Sequence, residues 1–156
     1  MTKFVLIPEA FSGNLSFVYN KGGLLVDFKV NSWDIKEPDL RGVLSVLPEY
    51  GTAYTFTQFA TKYKYQFKSE TIDLSFEVFW RMYGSPRDRF RCEPRWKKMT
   101  EEKRYWILVN LECYNRYCSR NPNYSKLTPY EYLTAHTEDN WDKVKEYDTK
   151  KDVFKM

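Results

Sequence analysis

The sequence predicts an α+β protein, with a small antiparallel sheet and short helices followed by a three- to four-helix module. Short apolar runs separated by turn residues occupy residues 3–30, which is typical of strands. In the second half, apolar and aromatic residues recur at helical spacing. Of the 156 residues, 42% are hydrophobic, enough for a buried core. We therefore expect an α+β unit over residues 1–74, a helical module over residues 75–147, and a charged tail that frays over residues 148–156.

Three strands are predicted near the start of the chain, over residues 3–7, 15–19 and 24–30. The last two flank Asn20-Lys21-Gly22-Gly23, whose glycines suit a hairpin turn because glycine tolerates positive φ. Residues 65–72 alternate in polarity, which predicts a fourth strand that returns to this meander.

Two short helices are predicted between the third and fourth strands. Asp34 is a candidate N-cap with Glu37 three positions later, and the apolar spacing that follows ends at Pro48. A second helix is predicted over residues 55–63. With eight acidic and eight basic residues, the first unit is neutral. This composition favours a role in packing or in a partner contact.

Four helical segments are predicted in the second unit. Their boundaries are expected at residues that cap or break helices. The first helix is capped by Ser75 and ends near residues 84–86, and the second spans residues 87–99 with an interruption at Pro94. The third is capped by Thr100 and ends before Pro122, and the last starts at Pro129 and continues through Trp141.

Positive charge is concentrated between residues 81 and 104, which hold nine basic and four acidic residues. The local excess of five exceeds the net charge of +4 for the whole chain. We predict that this segment binds nucleic acid and that the contact is largely independent of base sequence. The predicted contact residues are Arg87, Arg89, Phe90, Arg91, Arg95, Lys97 and Lys98.

The residue types support this prediction. A guanidinium group binds phosphate oxygens in a bidentate geometry, and Phe90 is available to stack on a base. Two alternatives remain open, a solvated charged surface and a contact with a protein that has an acidic face. The aromatic residues predicted to form the core of this half are Phe79, Trp80, Tyr83, Trp96, Tyr114 and Trp141.

No catalytic system is predicted, and we expect neither a cofactor nor a metal. His136 is the single histidine, and it lies among polar residues that suggest an exposed helix. Cys113 and Cys118 have no second ligand pair at zinc spacing, and Cys92 suits a small buried position. Phosphate-binding glycine motifs are absent from the sequence. The chain is predicted not to be an enzyme.

The composition also predicts a cytoplasmic protein, in the host cytoplasm if the chain is phage-encoded. Three cysteines do not suggest a disulfide framework, and no apolar run is long enough for a membrane helix. The first residues lack the apolar core of a signal peptide. The sequence gives no indication of oligomeric state.

Several motifs of the second half resemble a helical module found at the C-terminal end of phage replication and primosome-type proteins, and in uncharacterised proteins of phages and mobile elements. They are Phe76-x-x-Phe79-Trp80-x-x-Tyr83, the segment Trp96-Lys97-Lys98-Met99-Thr100-Glu101-Glu102-Lys103-Arg104, Tyr114, and Pro129-x-x-Tyr132-Leu133 with Trp141. The resemblance covers about residues 76–147.

This resemblance implies a compact helical unit and a role in DNA binding or replisome assembly. The chain departs from the family pattern in its arginine-rich linker, in Cys92 at a position that is commonly alanine, and in Pro94. The expected function is that of a phage or mobile-element accessory protein that binds nucleic acid, with a replication or host protein as a further partner. The alternative is a protein-interaction module, such as a host-factor inhibitor or a virion component, that binds no nucleic acid.

Overall fold

A computed structural model of the protein describes residues 1–8, 11–48 and 50–135. The chain divides into two units, Met1–Asp73 and Leu74 onward. The predicted roles of His136 and Trp141 and the predicted tail over residues 148–156 lie outside the described residues.

The first unit contains a four-stranded antiparallel sheet. Its strands are β1 (Thr2–Ile7), β2 (Asn14–Tyr19), β3 (Leu25–Asn31) and β4 (Gln66–Thr71). The strand order is β3-β2-β1-β4, so β4 pairs with β1 and β3 lies at one edge. The predicted meander and returning fourth strand are confirmed.

The β2–β3 hairpin forms where the glycines predicted it. Gly23 has a φ of 78°, and its N–H donates to the carbonyl of Asn20 at 3.0 Å. The Asn20 side-chain oxygen accepts a second hydrogen bond, from the N–H of Leu24, at 3.0 Å. The register of the β2–β3 pairing shifts between Val18 and Tyr19, and Tyr19 pairs with Leu25.

Two helices complete this unit, α1 (Glu37–Ser45) and α2 (Ala53–Tyr63). The cap predicted at Asp34 is wrong, because α1 begins after Lys36 with a proline in its first turn. The Asp34 carboxylate instead accepts hydrogen bonds from the Ser12 N–H at 2.9 Å and the Ser32 hydroxyl at 3.0 Å. A hydrogen bond from the Ser12 side chain, together with these two bonds, lowers the pKa of Asp34.

Helix α2 begins two residues before its predicted start because Thr52 and Thr55 cap each other. The Thr55 N–H donates to the Thr52 hydroxyl at 3.1 Å, and the Thr52 N–H donates to the Thr55 hydroxyl at 2.9 Å. This is a capping box in which threonine replaces the usual Glu or Gln.

Stacked aromatic rings fill the core between the sheet and these helices. Phe56 of α2 stacks on Phe4 of β1 with centroids 4.0 Å apart, and Phe17 stacks on Phe28 across β2 and β3 at 5.0 Å. Tyr19 meets Phe56 edge-on at 5.5 Å. Each buried ring contributes about 1.5–3 kcal/mol, which makes this cluster the main source of stability in the unit.

The described part of the second unit consists of four helices, α3 (Phe76–Tyr83), α4 (Arg89–Lys97), α5 (Glu101–Arg120) and α6 (Pro129–Ala135). Gly84 ends α3 in the left-handed conformation, and the Thr100 hydroxyl caps α5 by accepting from the Lys103 N–H at 3.3 Å. Helix α4 continues through Pro94. The α+β fold class is confirmed.

Trp96 and Tyr132 are central to the core of the second unit. Trp96 stacks on Phe79 at 5.0 Å, and Tyr132 lies 6.4 Å from the same ring. Tyr132 also packs against Tyr83 at 5.3 Å and Tyr114 at 4.8 Å. The prediction of a core role is confirmed for Phe79, Tyr83, Trp96 and Tyr114, whereas Trp80 is half-buried. Burial raises the pKa of the three tyrosines.

The described helices offer no candidate for a membrane span, since none combines sufficient length with sufficient apolar character.

Candidate nucleic-acid interface

The predicted contact residues lie on α4 and on the turn that precedes it. The helix is held in place by a buried stripe formed by Cys92 and Trp96, of which Trp96 is 1% exposed. The Trp96 indole N–H donates to the Leu74 carbonyl at 3.0 Å. The exposed side chains of the helix lie on the side opposite this stripe.

Arg104 of α5 secures the C-terminal end of α4. Its guanidinium donates to the Trp96 carbonyl at 3.1 Å and to the Lys97 carbonyl at 3.0 Å. The Trp96 carbonyl also accepts from the Met99 N–H at 3.1 Å, and a cation at the end of a helix suits the helix dipole. Arg104 therefore belongs to the scaffold of the site.

The exposed residues of α4 share one face. At about 100° per residue, they fall within roughly 120° of the helix circumference, opposite the buried stripe. Together with Lys98, which directly follows the helix, we call them the α4 outer face; its residues are Phe90, Arg91, Pro94, Lys97 and Lys98. Arg87 is also exposed and lies in the turn just before α4. This face carries three cations and no carboxylate.

Phe90 is 78% exposed. The other phenylalanines among residues 1–8, 11–48 and 50–135 are buried or half-buried. Phe90 therefore forgoes burial energy of about 1.5–3 kcal/mol that its counterparts obtain. The ring lies beside Pro94, one turn further along the helix, and between the cations of the same face.

Arg89 and Arg95 lie at the two borders of the buried stripe and are half-buried. Arg89 forms an ion pair with Glu77 of α3, and its guanidinium carbon lies 5.1 Å from the Phe76 ring and 5.4 Å from the Trp80 ring. Arg95 lies about 120° away around the helix. The structure thus separates these two arginines from each other and directs Arg89 toward α3.

Arg91 and Arg95 converge on Tyr130 of α6. The guanidinium carbon of Arg91 lies 3.9 Å from the ring centroid, and that of Arg95 lies 5.7 Å away. Such contacts are worth about 0.5–1 kcal/mol at exposed sites. Arg91 also lies 3.8 Å from the Asp88 carboxylate, yet 49% of its side chain is exposed. It both holds α6 and presents charge to solvent.

The two lysines and Arg87 differ in how far they are neutralised. Lys97 forms an ion pair with Glu93 at 2.9 Å, and this contact lowers the pKa of Glu93. The pair is exposed and therefore weak. Within the part of the chain that the structure describes, the side chains of Arg87 and Lys98 form no ion pair. These two cations are the most available to an anion.

The charge contrast between the two units supports the same location. Residues 74–135 hold twelve basic and seven acidic side chains, whereas residues 1–73 hold eight of each. The positive charge of the described residues is therefore concentrated in the second unit.

Cys92 lies on the buried side of α4. Burial, with the nearby Asp88 carboxylate, raises the pKa of its thiol to about 11. At neutral pH the side chain is a neutral thiol in the core. The predicted small buried role is confirmed.

Sequence reasoning missed the structural roles of Arg104 and Tyr130. Arg104 was counted with the charge cluster, although its position eight residues after Trp96 allows it to reach back to the end of α4. Tyr130 gave no signal, because its contact with Arg91 joins two helices and two residues that are 39 positions apart in the sequence.

The fold and this surface define an α+β protein with a basic helical C-terminal unit. Residues 71–136, less than half of the chain, match the model of a family described as the Legionella vir region protein LvrA C-terminal domain. The match includes α3, α4, α5 and α6. No curated protein sequence and no solved structure matches the chain.

Proposed function

We propose that this is a non-enzymatic, nucleic-acid-binding accessory protein, and that the α4 outer face with Arg87 is its contact surface. The proposal is supported above all by Phe90, an aromatic ring left in solvent among cations on a helix whose opposite side is firmly buried. Phosphates pair with the cations, and the ring stacks on a base.

The polarity of the surface suits an anionic partner, and the exposed ring of Phe90, which can stack on a base, favours nucleic acid over an acidic protein. Arg87, Arg91, Lys97 and Lys98 are exposed, and the face holds no carboxylate that would repel a phosphate backbone. Nothing on α4 forms a set of side chains arranged to read base edges, so the contact is largely independent of sequence. Arg89 and Arg95 act mainly by fixing α4 against α3 and α6.

The biological setting that we propose is DNA replication in a phage or mobile element, with a replication or host protein as a further partner and the cytoplasm as the location. The resemblance of the aromatic and lysine-rich motifs in the second unit to phage replication modules supports this setting.

The proposal is tested by fluorescence anisotropy with labelled oligonucleotides, single-stranded and duplex, at several salt concentrations. Four phosphate contacts, each contributing about −0.7, give a slope of about −3 in a plot of log K against log salt for single strands. The Arg87→Gln/Lys98→Gln variant is expected to reduce this slope by about 1.4. Phe90→Ala is expected to weaken binding while leaving the slope unchanged, because a base stack releases no counterions.

A matched control removes the same charge from the neutral unit. Lys36→Gln/Lys68→Gln changes two exposed lysines of the first unit and is expected to leave both affinity and slope unchanged. If neither oligonucleotide binds, or if the control variant weakens binding as much as Arg87→Gln/Lys98→Gln does, the proposed surface is wrong.

A second candidate function is a protein-interaction module, such as a host-factor inhibitor or a virion component. Exposed aromatic side chains in the neutral first unit favour it, namely Trp33 at 85% exposure, Tyr54 and Tyr50. Co-purification from host lysate with and without nuclease distinguishes the two functions. A partner protein that survives nuclease treatment supports the second, whereas one lost with the nucleic acid supports the first.

A further inference from the structure

We propose that the outer edge of β3 pairs with the β3 edge of a second copy of this chain, so that two sheets join into one across a twofold axis. This inference is independent of nucleic-acid binding. Within the described sheet, β3 is hydrogen-bonded only to β2, and the strand order ends there. Unpaired edge strands present backbone donors and acceptors that a second strand can satisfy.

The β3 edge differs from the β4 edge in its apolar exposure. Large apolar side chains are exposed at or beside β3: Leu24, Leu25 and Val30. The exposed residues of β4 are Gln66, Lys68, Ser69, Glu70 and Thr71, which are all polar. Natural edge strands are commonly protected by charge, and each of these two strands carries one acidic and one basic residue; β3 differs because it also exposes apolar side chains. The β3 edge is therefore the one that gains from being covered.

The charges on β3 select a second copy of the same strand as the occupant. In antiparallel pairing, side chains that lie opposite each other point to the same face of the sheet. When a twofold axis normal to the sheet relates two identical strands, one residue must therefore lie opposite its own copy, and the axis passes between these two copies. If that residue is Phe28, Asp27 of each copy lies opposite Lys29 of the other. Both charge pairs are then attractive.

The neighbouring registers are disfavoured by the same charges. An axis through Asp27 places two carboxylates opposite each other, and an axis through Lys29 places two ammonium groups opposite each other. Like charges directly opposite are destabilising in a sheet. Lys29 is 53% exposed in its side chain, and Asp27 is 13% exposed and lies 3.7 Å from it. The sequence of β3 thus specifies one self-pairing register.

Sedimentation velocity and light scattering of the full chain across about 10–500 μM test the proposal. A seven-residue strand pair is smaller than a standard interface, so the wild-type protein is expected to dimerise in this weak range. Lys29→Glu puts like charges opposite each other twice and is expected to weaken the dimer about 10-fold or more. Lys68→Glu, the same substitution on β4, is expected to leave dimerisation unchanged.

A charge-exchange mixture is the decisive measurement. Asp27→Lys and Lys29→Glu are each expected to be monomeric, whereas their equimolar mixture is expected to dimerise because each variant then meets its opposite charge. Circular dichroism establishes that each variant is folded. If Asp27→Lys does not fold, the comparison of Lys29→Glu with Lys68→Glu still decides. A monomeric wild type at 500 μM, or equal effects of those two lysine variants, overturns the proposal.

Discussion

Replacing Trp96 by phenylalanine tests whether the second unit depends on one buried indole. Trp96 is 1% exposed, it stacks on Phe79 at 5.0 Å, and its indole N–H donates to the Leu74 carbonyl at 3.0 Å. Phenylalanine keeps a stacking ring but withdraws the donor, so the hydrogen bond that ties α4 to the start of α3 is lost.

The expected cost combines two effects. The smaller ring forgoes about 1 kcal/mol of apolar burial, and removing the donor from a buried hydrogen bond costs about 1–3 kcal/mol. We expect Trp96→Phe to lower the free energy of unfolding by about 2–4 kcal/mol. With a urea slope of about 2 kcal/mol per M, the unfolding midpoint falls by about 1–2 M.

Urea unfolding of the full chain, followed by circular dichroism at a helical wavelength, measures this shift. Trp33→Phe is the matched control, since Trp33 is 85% exposed and the same substitution is expected to change stability by less than about 0.5 kcal/mol. If the two variants shift the midpoint equally, the assignment of Trp96 as the central core residue is refuted.

Two further predictions concern the first unit. Gly51→Ala is expected to destabilise it by about 2 kcal/mol or more, because the new Cβ would lie 2.1 Å from the buried Tyr19 ring. Gly42→Ala lies in α1, where the new Cβ would meet no neighbouring group within 4 Å, and is expected to stabilise the first unit by about 0.5–1 kcal/mol. Urea unfolding midpoints of both variants check this contrast, and a destabilised Gly42→Ala variant contradicts the prediction. Burial raises the pKa of Tyr19 to about 12. Because the tyrosine loses its proton at a lower pH in the unfolded chain than in the folded chain, the stability that Tyr19 contributes is complete below about pH 10 and falls as the pH rises toward 12. Urea titrations between pH 9 and 11.5 with Tyr19→Phe as reference check this, and parallel pH profiles for the two proteins are the contrary result.

Local signals account for the parts of the fold that sequence reasoning predicted well. The Asn20–Gly23 turn, the left-handed Gly84 that ends α3, and the Thr100 cap of α5 each depend on a few consecutive residues. Their conformations follow from side-chain chemistry within one turn, whatever the rest of the chain does. The boundaries drawn from them are therefore close to those observed.

Where competing local signals occurred, the tertiary contacts decided. Asp34 resembles a helix cap in sequence, but its carboxylate is used by the N–H of Ser12, 22 residues earlier. A partner so distant in the sequence cannot be identified from spacing along the chain.

The sequence by itself determined that the second unit is basic, that its core is aromatic and that the positive charge is greatest around α4. Only the tertiary structure decided which of these cations remain available. Burial of Cys92 and Trp96 fixes the rotation of α4, and this rotation exposes Phe90 and Lys98 while it turns Arg89 toward Glu77. The physical reason is that composition sets the total charge of a helix, whereas the direction of each side chain depends on which face packs against its neighbours.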